Sequence, residues 1–296
     1  MALRRWLLAL VLAGSAASAA GAEPDRTPRF EPPPAGAPAP RLALVLGSGG
    51  HRGFAHVGVL KALSEAGIRP DLVIGTSIGA VVGALYAGGM SAQELERTAN
   101  DLSMREFFEL RMILGMKPTG SGVEDFVERH VQGRRIGQLA IPFAAAATRL
   151  RDRALVLFNR GDTGLAVRAS AASPGEFAPV EIAGEMYVDG DEVSPVPIRA
   201  ARRLGARFVI AVDVSAYVQD TPAGVRQEWI EKDARRAKQI AAEAPAADVL
   251  IHPDIGYYAP RSQASRRRAI EVAYRTTREQ MPAVLAALAR AKLSPR

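Results

Sequence analysis

Residues 71–87 read DLVIGTSIGAVVGALYA. The run from Asp71 to Ile74 predicts a short buried strand, and the small-residue run from Ile78 to Ala87 predicts a helix. Between them lies Gly75-Thr76-Ser77-Ile78-Gly79, a G-x-S-x-G pattern at the turn from strand to helix. A nucleophile on so sharp a turn needs small residues beside it, and Gly75 and Gly79 supply them. A helix N-terminus also favours developing negative charge, so the context favours Ser77 as a nucleophile over an incidental serine in a glycine-rich turn.

The alternation of strand and helix continues on both sides of this turn. Further predicted strands are Leu42 to Leu46, Phe143 to Thr148, Ala154 to Phe158, Phe208 to Val212 and Val249 to Ile251. Further predicted helices start at Phe54, at the capping-box pattern Ser91-Ala92-Gln93-Glu94, and over Arg226 to Glu243 and Arg266 to Ala291, the last interrupted by Pro282. Buried strands that alternate with helices predict an α/β fold with a mostly parallel sheet covered on both faces.

The first predicted strand runs into a glycine-rich loop, Gly47-Ser48-Gly49-Gly50-His51-Arg52-Gly53. Glycines let backbone N–H groups converge on an anion, and the following helix adds its dipole, as an acyl-transfer enzyme needs for its tetrahedral oxyanion. The competing interpretation is a dinucleotide-binding loop. That pattern requires glycine at position 52, where this chain has Arg52. It also requires an acidic residue at the end of the next strand, whereas Asp71 lies at the start of its strand.

A serine nucleophile also needs a base. Tyr187-Val188-Asp189-Gly190-Asp191 offers an aspartate beside a glycine, a pair that is otherwise common in turns. The order Ser77, Asp189, His252 also suits the triad of an α/β-hydrolase. Spacing alone leaves both arrangements open.

These sites, in this order, resemble the patatin-like phospholipases, also called bacterial patatin-like acylhydrolases. Gly47 to Gly53 is similar to the family's G-x-G-G-x-[RK]-G oxyanion loop, Gly75 to Gly79 to its nucleophile elbow, and Asp189-Gly190 to its Asp-Gly motif. Ala169-Ser170-Ala171-Ala172-Ser173-Pro174-Gly175, with Phe177 and Pro179, is similar to its A-S-x-A-x-P-G-x-F-x-P segment. The resemblance covers roughly residues 41–215.

The resemblance implies a three-layer α/β/α sandwich and a serine hydrolase of lipid acyl esters that uses no cofactor and no metal. It implies a catalytic dyad in which Ser77 is the nucleophile and Asp189 the base. The oxyanion hole would be formed by loop residues Gly49, Gly50, His51, Arg52 and Gly53, with Gly47 and Gly190 as supporting motif positions. The substrate class would be that of a phospholipase A or lysophospholipase. A general esterase or thioesterase with a Ser77-Asp189-His252 triad, and a catalytically inactive lipid-binding protein, are the alternatives.

The chain departs from the family pattern at two places. Asp191 stands where the family usually has Gly or Ala, and we expect its side chain to point to solvent; facing inward, it would raise the apparent pKa of the carboxylate pair. Thr148-Arg149-Leu150 replaces the Thr-Asp-Leu of many relatives. Neither change removes a catalytic atom.

The N-terminus carries targeting features. Arg4 and Arg5, the apolar run Trp6 to Ala13, and the small residues that follow predict a cleaved signal peptide over residues 1–22. Seven prolines over residues 23–40 predict a disordered linker, and residues 41–296 the single catalytic domain. Because the chain contains no cysteine, a lipoprotein anchor is excluded, and we expect an exported protein, periplasmic or secreted.

The charge balance bears on partners. The chain of 296 residues carries 38 Lys and Arg against 31 Asp and Glu, a net charge of +7, which suggests an anionic partner. Basic residues cluster at Arg199, Arg202, Arg203 and Arg207, at Arg235, Arg236 and Lys238, and at Arg266, Arg267 and Arg268. They predict solvated helix faces or peripheral contact with an anionic membrane surface. Nucleic-acid binding is not expected because aromatic and basic residues are not interleaved. The segment Phe107 to Met116 is predicted as core, with a substrate-facing cap and a membrane-touching flap as the alternatives.

Overall fold

The sheet at the centre of the molecule is built from short apolar strands. The computed structural model describes residues 26–102 and 118–295, and in these residues the sheet has eight strands. They are β1 Leu42–Leu46, β2 Leu72–Thr76, β3 Phe143–Arg149, β4 Ala154–Phe158, β5 Val180–Ile182, β6 Glu185–Asp189, β7 Phe208–Val212 and β8 Val249–Ile251. All residues of β1, β2 and β7 are buried, as expected of strands covered on both faces.

The order of the strands sets where chemistry can gather. β1 pairs in parallel with β2 and β7, and the parallel set continues from β2 to β3 and from β7 to β8. β4 and β6 join β3 antiparallel, and β5 pairs antiparallel with β6. Because β1 and β2 are parallel, the turns that follow their carboxyl ends lie at the same edge of the sheet. The sheet is therefore mostly parallel, as predicted, with an antiparallel corner at β3.

Helices cover both faces of the sheet. Within the described residues they are α1 Phe54–Glu65, α2 Ile78–Ala87, α3 Ala92–Asp101, α4 Ser121–Val131, α5 Thr163–Ser170, α6 Ile198–Arg203, α7 Gln227–Glu243 and α8 Gln263–Arg290. The predicted capping box starts α3: the Ser91 hydroxyl accepts the Glu94 N–H at 3.2 Å, and the Glu94 carboxylate accepts the Ser91 N–H at 2.8 Å. No helix of these ranges is long and apolar enough to cross a lipid bilayer.

The period of two along the strands divides the core between the faces. Leu44 and Leu46 point into one cluster of buried residues together with α1, whereas Ala43 and Val45 point into a second cluster with Ile198 of α6. Burying one such leucine contributes ~2 kcal/mol. Helices on two faces of one sheet make the three-layer α/β/α sandwich that was predicted.

The last helix differs from the prediction. Pro282 does not interrupt it, and α8 runs unbroken from Gln263 to Arg290. Pro282 faces solvent, while Met281 and Val284 on either side of it are buried, so packing offsets the one lost backbone hydrogen bond. Close packing with α1 requires Gly58, where an added Cβ would lie 2.1 Å from the Ile270 carbonyl oxygen.

The proline-rich segment differs from a free linker at the end where the structure describes it. Arg29 and Arg160 exchange two backbone hydrogen bonds at 3.1 Å. The Glu31 N–H donates to the Asn159 side-chain oxygen at 2.8 Å, and the Arg26 guanidinium contacts Asp162. Residues 26–31 therefore pack on the domain, while the boundaries predicted at residues 22 and 40 stay predictions.

Candidate active site

The predicted nucleophile and the predicted base meet because two strands share one edge of β3. Along that edge Thr76, the last residue of β2, pairs with Ala146, and Asp189, the last residue of β6, pairs with Ala147. The opposite edge of β3 carries β4. Ser77 follows Thr76 directly, and its Oγ donates a hydrogen bond to Asp189 Oδ2 at 2.7 Å. Residues 112 positions apart in the chain are thus adjacent, as the dyad prediction requires.

The turn that carries Ser77 is strained and crowded. Ser77 has φ 56° and ψ −124°, a conformation that residues with a side chain rarely adopt. A Cβ on Gly75 would lie 2.3 Å from the Gly79 carbonyl oxygen, and one on Gly79 would lie 2.2 Å from the Leu46 carbonyl oxygen. Both positions of the elbow therefore require glycine, as the G-x-S-x-G pattern predicted.

A second serine holds this turn in place. The Ser77 N–H donates to Ser170 Oγ at 3.0 Å, and the Ser170 hydroxyl donates to the Ala146 carbonyl at 2.6 Å. Ser170 ends α5 and belongs to the A-S-x-A-x-P-G segment, so its motif was visible in the sequence but its role was not. Ser170 therefore links the elbow to β3, the strand with which Asp189 also pairs.

Two hydrogen bonds besides that from Ser77 hold the predicted base, Asp189. Asp189 Oδ1 accepts the Asp191 N–H at 2.9 Å, and the Asp189 carbonyl accepts the Thr148 hydroxyl at 2.9 Å. Gly190 is required next to it, because a Cβ there would lie 2.4 Å from the Ala146 carbonyl oxygen. Thr148 is the part of Thr148-Arg149-Leu150 that agrees with the family pattern, whereas Arg149 forms an ion pair with Asp152 at 2.7 Å, away from the dyad.

The surroundings make Asp189 a stronger base than an ordinary carboxylate. Its side chain is only 3% exposed, and burial raises its pKa to about 7, with the neighbouring Asp191 carboxylate as the second cause. The hydrogen bonds from Asp191 N–H and Ser77 Oγ act in the opposite direction. The net effect of these surroundings is to make Asp189 more basic than a carboxylate in water.

Asp191 does not point to solvent as expected. It is 9% exposed and contacts two groups: the Ser48 hydroxyl donates to Oδ1, and the Arg236 guanidinium of α7 binds both carboxylate oxygens, Nε to Oδ1 at 2.8 Å and Nη2 to Oδ2 at 2.7 Å. Burial acts to raise its pKa, but Arg236 and Ser48 together lower it. Because a cation reaches it from a distant helix, the carboxylate is buried in its charged form, and the prediction was wrong.

The glycine loop lies beside the dyad with part of its backbone already bonded. The N–H groups of Gly47 and Ser48 donate to the Val212 and Pro195 carbonyls, both at 2.9 Å, and the Arg52 N–H donates to the Gly49 carbonyl at 3.0 Å. Among the described residues the N–H groups of Gly49, Gly50 and His51 have no hydrogen-bond acceptor. These three N–H groups are the loop donors that remain for an anion.

The two side chains of the loop have different surroundings. Arg52 is not an ordinary surface arginine, since its guanidinium donates to the Tyr257 carbonyl and lies 5.8 Å from the Tyr257 ring centre. His51 lines the cavity described below, and burial lowers its pKa. Gly53 must be glycine because an added Cβ would lie 2.1 Å from the Ile78 side chain.

A further histidine, which the sequence did not assign to the site, supports this loop. His56 is fully buried in α1, and its Nε2 donates to the Gly47 carbonyl at 2.8 Å. Burial lowers its pKa to about 4, so the ring is neutral around pH 7.

His252 lies in different surroundings from those a triad requires. Its Nε2 contacts the Ser215 carbonyl at 3.0 Å, its Nδ1 is 3.4 Å from Asp213, and its ring stacks on Tyr217 at 4.0 Å. Both ring nitrogens thus face groups other than Ser77 and Asp189.

Asp71 does not fit the dinucleotide pattern. Its carboxylate accepts the N–H groups of Arg41 and Leu42, at the opposite end of the sheet from the glycine loop.

Ser77 opens into a cavity of about 1160 Å³. One wall is apolar and comes from helices α1 to α4; its side chains include Val57, Val81, Leu85, Leu95 and Phe126. Another part of the wall is basic and aromatic and comes from the chain around α7 and before α8, with Arg226, Trp229, Lys232, Tyr258 and Arg261. The cavity therefore combines an apolar wall with cations near the dyad.

The remaining candidate features do not join this site. The Arg199 guanidinium donates to the Ala242 carbonyl, and Arg202 pairs with Asp248. Arg266 is buried, and its guanidinium donates to the Leu102 carbonyl. No group of three or more His, Cys, Asp or Glu side chains in residues 26–102 and 118–295 is arranged to hold a metal ion. The segment Phe107 to Met116 lies outside the described residues.

Comparison with known sequences points to one family. The family model described as Patatin-like phospholipase matches residues 44–202. An uncharacterized NTE family protein of Mycobacterium tuberculosis is 35% identical over 225 residues, which is 73% of this chain and 61% of that protein. Patatin-like phospholipase domain-containing protein 6 of Homo sapiens is 37% identical over 183 residues, 59% of this chain and 13% of that protein. The chain thus spans about three fifths of the mycobacterial relatives and a small part of the mammalian ones.

Comparison with solved structures concerns the fold. VipD from Legionella pneumophila superposes with a TM-score of 0.55 at 13% sequence identity, covering 88% of this chain and 70% of that one. At this identity the likeness shows a shared architecture and carries nothing about activity.

Proposed function

Because the chain belongs to the patatin-like phospholipase family, we propose that it is a serine hydrolase of lipid acyl esters that works through Ser77 and Asp189. The observation that carries the proposal is the 2.7 Å hydrogen bond from Ser77 Oγ to Asp189 Oδ2. It lies where a strained elbow presents the serine to a large cavity with an apolar wall. A nucleophile in hydrogen-bond contact with a base is the arrangement that covalent ester hydrolysis needs.

The chemistry follows from these contacts. Ser77 Oγ attacks the acyl carbon while its proton passes to Asp189 Oδ2, and the carbonyl oxygen becomes an oxyanion near the free N–H groups of Gly49, Gly50 and His51. When the bond to the leaving alcohol breaks, Asp189 returns the proton to the alcohol oxygen. Water then attacks the acyl-enzyme with Asp189 again as base, and the acid product leaves with Ser77 restored.

The strength of the base supports a dyad that needs no histidine. A carboxylate of ordinary pKa, about 3.9, is poorly matched to proton transfer at neutral pH. Burial and Asp191 raise the pKa of Asp189 to about 7, which brings it near the working pH. The reaction then requires ionised Asp189, so the rate is expected to rise with pH through about 7.

The cavity supports a lipid as substrate. Val81, Leu85, Leu95 and Phe126 offer an apolar surface for an acyl chain next to Ser77, and burying a chain there is favourable by ~0.8 kcal/mol for each CH₂. At the other part of the wall, Trp229 and Tyr258 are 39% and 71% exposed. Aromatic rings of this kind settle at membrane interfaces, and Arg226 and Arg261 beside them would attract anionic headgroups. We therefore include peripheral contact with an anionic membrane surface in the proposal.

The test is covalent labelling of the active serine. A fluorophosphonate probe, read by intact mass, is expected to add once to the wild type, not at all to Ser77→Ala, and more slowly to Asp189→Asn. The same proteins are then assayed on phosphatidylcholine, lysophosphatidylcholine and a short water-soluble ester, which separate a phospholipase from a lysophospholipase and from a general esterase. A folded wild type that neither labels nor hydrolyses any of these would refute the proposal and leave the inactive lipid-binding alternative.

A further inference from the structure

Arg236 binds both carboxylate oxygens of Asp191 next to the dyad, and it comes from a part of the chain that the family model does not match. The model ends at residue 202, and Arg236 lies in α7. Its side chain is 12% exposed; Nε and Nη2 bind the two oxygens of Asp191 at 2.8 and 2.7 Å, and Nη1 binds Asp233 at 3.1 Å. A two-point contact of this kind fixes orientation as well as charge.

Asp191 connects this arginine to both halves of the site. Its backbone N–H bonds Asp189 Oδ1 at 2.9 Å, so the residue belongs to the turn that holds the base. Its side chain accepts the hydroxyl of Ser48, the residue directly before Gly49 in the glycine loop. One carboxylate therefore joins the oxyanion loop, the turn of the base and α7.

We propose that Asp191 and Arg236 are positioning residues of this hydrolase: they hold the glycine loop and the Asp189 turn in register, and they keep a negative charge beside Asp189. The inference rests on the proposed function, since it concerns the same dyad. Neither residue touches the reacting atoms, because the Ser77 hydroxyl bonds Asp189 alone of the two carboxylates. Both act through Asp189 and Ser48.

The charges around Asp189 explain why the pair affects the base. Two buried carboxylates in one turn would normally share a proton. Arg236 prevents this by keeping Asp191 ionised against the effect of burial, and the charge of Asp191 in turn adds to burial in raising the pKa of Asp189. Other charged groups facing the cluster are Lys232, which acts on both carboxylates, Asp233, which shares Arg236, and Arg52, which lies close enough to Asp233 and Arg236 to interact with both.

The proposal predicts how the acidic limb of the pH profile moves when the charge of Asp191 is removed, and how it moves back when the charge of Arg236 is removed as well. Asp191→Asn removes the like charge, so the acidic limb of kcat/KM is expected to move down by about one pH unit, with a lower plateau because the base is weaker. Asp191→Asn combined with Arg236→Gln removes in addition a cation near Asp189, so its limb is expected to lie above that of Asp191→Asn. Arg236→Lys keeps the charge but loses the two-point contact; its limb should stay in place while kcat falls about tenfold at unchanged KM.

The experiment measures pH profiles of the full chain on a short water-soluble ester, so that membrane binding does not enter. The matched control is Asp248→Asn. Asp248 is also paired with an arginine, at 2.6 Å from Arg202, but it lies away from the site. The acidic limb of this variant should match that of the wild type. Thermal melting confirms that each variant folds. A limb that stays in place or moves up in folded Asp191→Asn would overturn the proposal.

Two further outcomes keep the inference and the proposed function apart. If Asp191→Asn does not fold, Arg236→Lys decides: wild-type kcat in that variant would overturn the proposal, and the expected fall at an unmoved limb would support it. If the hydrolysis by the wild type survives Ser77→Ala, the proposed function itself fails, and the inference fails with it. If hydrolysis depends on Ser77 but the acidic limb is the same in wild type and Asp191→Asn, the inference fails and the proposed function stands.

Discussion

The strained elbow predicts that Ser77, the proposed nucleophile, lowers the stability of the protein. Ser77 holds φ 56° and ψ −124°, which glycine adopts freely and other residues do not. Replacing it with glycine relieves the backbone, whereas replacing it with alanine keeps the Cβ and therefore the strain. Both variants lose the same hydroxyl and its hydrogen bond to Asp189. The difference between Ser77→Gly and Ser77→Ala therefore isolates the backbone cost of the elbow.

The expected magnitude follows from two opposing contributions. A residue held in a sparsely populated backbone conformation costs about 1–3 kcal/mol. Glycine in turn loses more backbone entropy on folding, which costs about 0.5–1 kcal/mol relative to alanine. Ser77→Gly should then be more stable than Ser77→Ala by about 1 kcal/mol or somewhat more, which for a domain of this size raises the melting temperature by roughly 2–3 °C.

The assay is thermal and urea denaturation of the two variants, with the fluorophosphonate probe confirming that neither carries an active serine. The control pair is wild type and Ala241→Gly, at an exposed position within α7. There the same exchange of alanine for glycine should lower stability by about 1 kcal/mol, the ordinary sign in a helix. A Ser77→Gly variant that melts at or below Ser77→Ala would refute the reasoning that the elbow stores strain.

Four more predictions follow from the same contacts. His252→Ala should keep hydrolysis within a few-fold of the wild type, since its ring bonds Ser215 and Asp213; a loss of several thousand-fold in a folded variant would favour the triad. Gly190→Ala should abolish labelling, or the fold, because its Cβ would lie 2.4 Å from the Ala146 carbonyl oxygen; an active variant by intact mass would contradict this. Between about pH 4 and 7 the folded wild type keeps the proton on Asp189 that the unfolded chain has lost, so the contribution of Asp189 to stability falls as pH rises. The difference in melting temperature between Asp189→Asn and wild type should therefore grow in favour of the variant across this window, and a constant difference would contradict it. Trp229→Ala should weaken sedimentation with anionic vesicles but leave hydrolysis of a soluble ester intact, and unchanged sedimentation would remove Trp229 from the membrane contact.

Local patterns predicted the features that depend on neighbours in the chain. β1 and α2 begin and end at the predicted residues because an apolar run between polar or glycine boundaries is enough to define a buried element. The elbow was predicted for a similar reason: Gly75 and Gly79 are excluded from bearing a Cβ by atoms within the same turn and by the adjacent end of β1.

Features that depend on distant residues were not predictable in this way. The burial of Asp191 is decided by Arg236, which lies 45 positions further along the chain and carries no motif. An aspartate beside a glycine is most often in an exposed turn, so the local pattern indicated solvent. Pro282 is a second case in which distant contacts decide the outcome. The local rule predicted a break in the helix, but the packing of the buried residues on either side of Pro282 keeps the helix continuous.

The choice between a dyad and a triad also depends on an arrangement that no single motif contains. Ser77 and Asp189 meet because β2 leaves the edge of β3 at Ala146 and β6 takes over at Ala147. A strand inserted at that point brings a carboxylate within hydrogen-bond distance and buries it at the same time. Burial is what raises the pKa of Asp189 toward that of an imidazole, so the same change of partner along β3 that positions the base also makes it basic enough. The proposed dyad therefore needs no histidine.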